Sequence, residues 1–317
     1  MSGPIQSIVI VGGGAAGWLT AALLAKQFQS KTSAIKVSLI ESSDIPTVGV
    51  GEGTWPTMRN TLRKIGIDEN TFLRQCNASF KQGNQFVGWY DGQANDKYYH
   101  PFSAPQAHNK FDLSPFWIQG MQEGHQDFAS TVCFQPKLCD LNLAPKNITD
   151  KQYQGQANYG YHLDAGKFAQ LIKEHTINNL GVSHIIDTVE HVKVNELGDI
   201  EHIQLKNRPS ISGDFFIDCT GFSSLLLGKA LAVPFIKKSG CLLANRALAV
   251  QLPYENDDSP VASHTQSIAQ SCGWIWDIGL SNRRGVGYVY ASEYTTTAQA
   301  KQTLADYIGV DSDQLNA

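Results

Sequence analysis

Several signatures of disulfide, metal and membrane chemistry are missing from this 317-residue chain. Its six cysteines (76, 133, 139, 219, 241 and 272) form no C-x-x-C pair. A chain of this length builds its core without disulfides, so they read as reduced thiols of a cytoplasmic protein. Nine histidines show no H-x-x-x-H or mixed Cys/His spacing, so no metal site is expected. No apolar run reaches membrane-spanning length, which excludes a helical membrane span. The apolar N-terminus lacks the basic start of a signal peptide, and glycines interrupt it. Neither charge sign dominates: 25 basic against 29 acidic residues leave a net −4, with no general attraction to nucleic acid or an anionic membrane. There is no internal repeat, and G-x-G-x-x-G occurs once.

That single occurrence organises the chain. Ile8-Val9-Ile10-Val11 runs straight into Gly12-Gly13-Gly14-Ala15-Ala16-Gly17, and an Ala/Leu-rich helix pattern follows. The order strand, glycine turn, helix makes this a dinucleotide-binding fingerprint. Gly12 makes the tight turn, Gly14 lets backbone approach a pyrophosphate, and Gly17 lets helix and strand pack closely. The helix pattern runs from Leu19 to Ala25, and the helix N-terminus presents N–H groups and a dipole that favour phosphate. A second strand is predicted over 35–40. It closes on Glu41, at the distance where an acidic residue meets a ribose hydroxyl. The fold class is therefore α/β, built on a Rossmann-type βαβ unit.

A second glycine-rich stretch, Val48-Gly49-Val50-Gly51-Glu52-Gly53, implies close backbone approach, and two such loops line one extended cofactor from two sides. Helices are predicted over 55–65 and over 68–76, the latter capped by Asp68. Alternation over 77–89 predicts one strand carrying Lys81, where a lysine is held on target as it is not on a loop. From 90 to 161 the periodicity fades into aromatics, Gln, Asn and Pro, read as an irregular substrate or cap region; His100 and Phe102 flank a proline there. A helix over 165–178, a strand over 182–187 and a hairpin over 190–206 follow. Next come an apolar strand ending in Asp218-Cys219-Thr220-Gly221 and a strand over 248–252. Strand alternation puts Trp274 and Trp276 on one face, opposite a hairpin partner at 285–291, and a helix spans 297–307.

Taken together, these motifs resemble the flavin-dependent tryptophan halogenase family across nearly the whole chain. The resemblance rests on G-G-G-A-A-G-W at 12–18, V-G-V-G-E-G-T at 48–54, A-S-F-K ending at Lys81, Y-H-P-F at 99–102, Y-H-L-D-A at 161–165, F-I-D-C-T-G-F at 216–222 and, most specifically, W-I-W-D-I-G at 274–279. It implies a glutathione-reductase-like FAD-binding fold with an inserted substrate region. The FAD-binding domain would comprise residues 1–90 and 161–317, incomplete at its C-terminus, and the cap region residues 91–160. FAD would meet Gly12, Gly14, Ala15, Ala16, Gly17, Glu41, Val48, Gly49, Val50, Gly51, Glu52 and Val189. Reduced FAD would come from a separate flavin reductase, and with O2 and chloride or bromide it would give hypohalous acid. Lys81 would hold that acid beside one carbon of an electron-rich aromatic such as tryptophan or another indole. His100 and Phe102 would stack on the substrate, while Trp274 and Trp276 would shape the tunnel between flavin and substrate. A homodimer stays open.

Two departures matter. Gly279 stands where the family pattern W-x-W-x-I-P has proline. The family's catalytic Glu–Ser pair and halide-binding backbone lie beyond this region, so the sequence is expected to be the front part of a longer polypeptide. An aromatic monooxygenase on the same fold and a non-catalytic FAD-binding module remain alternatives.

Overall fold

The computed structural model describes residues 3–30, 33–45, 51–93, 95–120 and 127–315. In chain order the elements begin with β1 (Ser7–Val11), α1 (Ala15–Phe28), β2 (Gln29–Ser30), β3 (Ser33–Ala34), β4 (Lys36–Glu41) and β5 (Glu52–Gly53). Then come α2 (Thr57–Ile65), α3 (Glu69–Gln75), β6 (Ser79–Lys81), β7 (Gly83–Val87) and β8 (Lys97–Pro101). Three short helices, α4 (Ser114–Gly120), α5 (Phe128–Val132) and α6 (Gln135–Asp140), lead to β9 (Gly160–Leu163), α7 (Ala165–Leu180) and β10 (Ser183–Ile186). The rest is β11 (Val189–Val194), β12 (Ile200–Leu205), β13 (Phe215–Asp218), β14 (Arg246–Pro253), β15 (Thr265–Gln270), β16 (Gly273–Gly279), β17 (Arg283–Tyr290) and α8 (Thr297–Ile308). No helix among the described residues is long and apolar enough to cross a membrane.

The chain divides into two compact units. The first comprises Met1–Gly49, Thr61–Cys76 and Ala165–Lys237. Its sheet is fully parallel, in the order β10-β4-β1-β13. Such a sheet is covered on both faces, which is why β1 is apolar without alternation. Val9 and Val11 face the β11-β12 hairpin through Val192, Ile203 and Leu205. Pleat alternation sends Ile8 and Ile10 to the other face, where α1 packs on β1 and β4 and α7 packs on α1. Asp68 caps α3 as expected, accepting the Thr71 N–H at 2.8 Å.

The second unit comprises Val50–Asn60, Asn77–Asp164 and Lys238–Ala317. Its main sheet runs β14-β17-β16-β15-β7-β8, antiparallel except where β15 meets β7. One face packs on α8: Ile275, Val286, Tyr288 and Tyr290 meet Ala300, Leu304 and Ala305. Tyr307 on α8 also donates to Asp277 on β16 at 2.9 Å, and Arg284 pairs with the same carboxylate. A small sheet, β5-β9-β6, lies in the same unit.

Two sequence expectations are corrected here. The stretch 77–89 is two strands rather than one, in two different sheets, because the chain turns at Gln82. That side chain is fully buried, donates to Leu143 O (2.7 Å) and Ser263 Oγ (3.0 Å), and accepts from Gln135 Nε2 (3.2 Å). A buried amide with all these partners fixes the bend. Gly83 permits it: a Cβ there would stand 2.4 Å from His100 O. The stretch 90–161 is also less irregular than its pattern implies, since β8 adds an edge strand to the main sheet.

Candidate functional site

In the first unit the glycine turn is built as its motif requires. Gly12 has φ +112°, and a Cβ there would lie 2.2 Å from Cys219 O at the end of β13. A Cβ on Gly17 would lie 1.9 Å from Gly12 O, so helix and turn are in backbone contact. Around Gly14 nothing stands within 4 Å of a Cβ position, and Ala15 and Ala16 begin α1 beside it. Open space over glycine backbone at a helix N-terminus fits a dinucleotide pyrophosphate. Asp218 in the D-C-T-G segment holds its own loop, accepting from the backbone of Thr220, Leu226 and Leu227.

Glu41 ends β4 against this turn, where a Cβ on Gly13 would meet its Oε2 at 1.7 Å. Its Oε1 pairs with Lys173 and lies 2.8 Å from His184 Nε2, and Trp18 Nε1 reaches Oε2 at 3.4 Å. The carboxylate is thus fixed beside the glycines by three neighbours. Val189 starts β11 and packs partly buried against the apolar cluster of the hairpin face. Val48, Gly49 and Val50 lie outside the described residues.

The second unit holds a cavity of about 600 Å3 lined by Gly51, Glu52, Gly53, Lys81, Trp274 and Trp276. The sheet face opposite α8 supplies most of its wall. On that face Trp276 lies opposite Ser267, Ser267 beside Phe86, and Thr265 beside Asn84. His100 is in the same row, opposite Asn84, but exposed. Both tryptophans point to one side, their rings 6.3 Å apart. Sequence reasoning did not find Asn84, Phe86, Trp89, Thr265, Ser267 or Ile278, which also line the cavity. Trp89 is anchored by its Nε1 on Ser267 O at 2.8 Å, with its ring 6.4 Å from Trp274.

Lys81 closes β6 and is 8% exposed. It reaches the cavity because of the turn at Gln82, since in an unbroken strand it would alternate to the face opposite Asn84 and Phe86. Gly53 makes room for it: a Cβ there would stand 3.0 Å from Lys81 Nζ and 3.5 Å from His162 Cδ2. Nζ lies 5.6 Å over the Phe102 ring. No carboxylate pairs with it among the described residues, and burial pushes its pKa down to about 8. Desolvation at the cavity wall holds Glu52 above the usual carboxylate range.

Two buried histidines support the wall. His162 on β9 is fully buried, with Nε2 2.9 Å from Thr265 Oγ1. Burial, with Lys81 and His264 nearby, lowers its pKa well below 6.5. His264 is pushed down by burial to about 4. Both are neutral in the fold and take up protons more readily when unfolded. Below pH 6.5 the unfolded chain therefore binds more protons, and stability falls as pH falls toward 4. For His264 alone the loss is ~3 kcal/mol at pH 4, at about 1.4 kcal/mol per pH unit. Thermal melts between pH 7 and 4 are expected to show this drop, and His264→Gln should reduce it, leaving the part that His162 contributes.

Gly279 departs from the family pattern in a crowded place. A Cβ there would stand 3.0 Å from the Tyr254 hydroxyl and 3.1 Å from Val261 Cγ1. Its carbonyl accepts from Ser79 Oγ.

Comparison with known proteins gives the family. The tryptophan halogenase family model matches residues 7–317. Tryptophan 6-halogenase SttH of Streptomyces toxytricini is 34% identical over 98% of this chain and 62% of its own length. Tryptophan 7-halogenase RebH of Lentzea aerocolonigenes is 34% identical over 99% of this chain and 61% of its own. The crystal structure of a tryptophan halogenase from Shewanella frigidimarina NCIMB 400 superposes with a TM-score of 0.94 at 52% identity, covering 99% of this chain and 61% of that one. The chain thus spans about three fifths of the length of the relatives it matches. Its parallel βαβ sheet belongs to the glutathione-reductase-like class of those flavoenzymes, and the match along residues 7–317 shows that the chain belongs to the tryptophan halogenase family.

Proposed function

We propose that this chain carries the nucleotide-binding and halogen-transfer residues of a two-component FAD-dependent halogenase acting on an electron-rich aromatic, tryptophan or another indole. The observation that carries the reading is a buried lysine with no carboxylate partner among the described residues, set in the same cavity wall as a pair of tryptophans.

The open glycine turn at 12–17 and the helix N-terminus at Ala15 would hold the pyrophosphate of FAD, with Glu41 beside it for the ribose. Reduced FAD, delivered by a separate flavin reductase, would supply the oxidation of chloride or bromide by O2 that yields hypohalous acid. Trp274, Trp276 and Phe86, lining the cavity, would let a small neutral oxidant pass and turn back an aromatic substrate. Lys81 then holds the halogen at one place, either as a hydrogen-bond donor in its ammonium form or by taking the halogen on its amine. Phe102, with His100 further along the strand end, offers aromatic surface for the acceptor ring. The gain is positional: electrophile and ring carbon are kept together rather than meeting by diffusion.

The test is product mass after incubating the full polypeptide with a flavin reductase, NADH, a halide salt and a panel of indoles. A mass gain equal to hydrogen replaced by chlorine or bromine is expected. Hydroxylated product alone would assign the monooxygenase reading. FAD binding with no turnover would assign the binding module.

A further inference from the structure

Trp55 is 59% exposed, and backbone hydrogen bonds hold the chain at and just before it. Thr54 just before it donates to Tyr161 O at 2.8 Å, and the Thr54 hydroxyl accepts the Tyr161 N–H at 2.9 Å. Trp55 O accepts from Met58 N at 3.0 Å as α2 begins. The side chain is therefore aimed by a fixed backbone, yet it fills no core. Its ring rests on Phe102, with centroids 5.4 Å apart and planes 39° apart. Phe102 in turn lies under Lys81 Nζ. Two residues before Trp55, Gly53 is the residue whose missing side chain makes room for Lys81. A large aromatic held by a fixed backbone next to the lysine's own aromatic neighbour is placed to meet a flat acceptor lying on Phe102.

We propose that Trp55 is a specificity-determining residue of the acceptor site, extending the Phe102 wall so that a fused bicyclic arene is held at Lys81 in preference to a single ring. This rests on the halogenase reading above. A six-membered ring covers Phe102 alone. A fused bicycle covers Phe102 and meets the Trp55 face as well, and the added aromatic contact strengthens binding without touching the reacting atom. Contact of this kind is uniform binding: it lowers KM and leaves kcat unchanged.

The experiment compares wild type, Trp55→Ala and Trp55→Phe of the full polypeptide, with indole and phenol as probes. An aromatic contact strengthens binding by roughly 2- to 10-fold. Trp55→Ala is expected to raise the KM for indole by that factor, with kcat within about twofold and the KM for phenol unchanged. Trp55→Phe should recover part of the loss. Calorimetric titration of indole, which needs no turnover, should show the same weakening. An unchanged KM for indole, or an equal rise for indole and phenol, overturns the proposal. So does a wild type that binds no indole. Indole binding that weakens in Trp55→Ala, in an enzyme that makes no halogenated product, keeps the Trp55 contact with the bicycle and refutes the halogenase reading on which its role at Lys81 rests. A purely structural role would lower the melting temperature and kcat together and would spare the indole-to-phenol selectivity.

Discussion

Lys81→Ala is expected to abolish halogenated product, by at least about a hundredfold in rate, while FAD binding and the fold persist. The size follows from positioning, because an electrophile released into a cavity without its holder must meet the ring carbon by diffusion. Survival of the fold follows from electrostatics. Lys81 is buried with no carboxylate partner among the described residues, so its charged form is a strain on the folded state rather than a support. Lys81→Met, which keeps the stem and removes the nitrogen, should therefore melt no lower than wild type. A variant that unfolds would place Lys81 in the scaffold, and one that still halogenates would remove it from the mechanism.

The same lysine gives a pH signature that separates its two roles. With a pKa of about 8, its neutral fraction grows roughly tenfold per pH unit up to that value and then saturates. If the amine takes the halogen, the rate rises toward pH 8 and levels off, and this is the expected profile. A rate flat below pH 8 and falling above it would assign the ammonium's hydrogen bond instead. Lys81→Arg sharpens the distinction, since guanidinium stays protonated throughout.

Patterns confined to a few neighbouring residues were legible in the sequence. The fingerprint at 12–17, the helices around 57–65 and 69–75, and the shared face of Trp274 and Trp276 all depend on local periodicity and turn chemistry. Lys81 was recognisable from its segment, but the reason it reaches the cavity was not. Its orientation depends on Gln82, whose side chain finds its partners at residues 135, 143 and 263. A glycine inside an apparent strand was the available warning, since Gly83 marks a bend where another backbone comes close. Thr265 and Ser267 were silent for a related reason. They are ordinary strand residues until β15 pairs in parallel with β7, which puts Thr265 beside Asn84 across most of the chain's length. The pattern predicts a helix from Trp55, but α2 begins at Thr57, so the indole lies outside the helix.

Gly287→Ala is expected to disable the cavity without disturbing the sheet. Gly287 lies opposite Trp276 in the β16–β17 pair, and a Cβ there would stand 2.0 Å from Cζ2 and 2.1 Å from Cη2 of the indole. The indole occupies the space over the glycine, so even one methyl group must displace it. On the other side of the strand, Val286 and Tyr288 are locked in the α8 core and do not yield. The ring therefore moves into the cavity that Trp276 shares with Lys81. Overpacking of this kind costs roughly 1–3 kcal/mol, so a modest fall in melting temperature accompanies a fall in halogenation of about tenfold or more. Trp276→Ala removes the group that clashes, so in the double variant Gly287→Ala should cost little further. The two effects are then strongly non-additive, as expected for residues in direct contact. Rates and melting temperatures of the two single variants and the double variant decide the matter. Additive losses would mean that Gly287 acts through the backbone and that the indole does not rest on it.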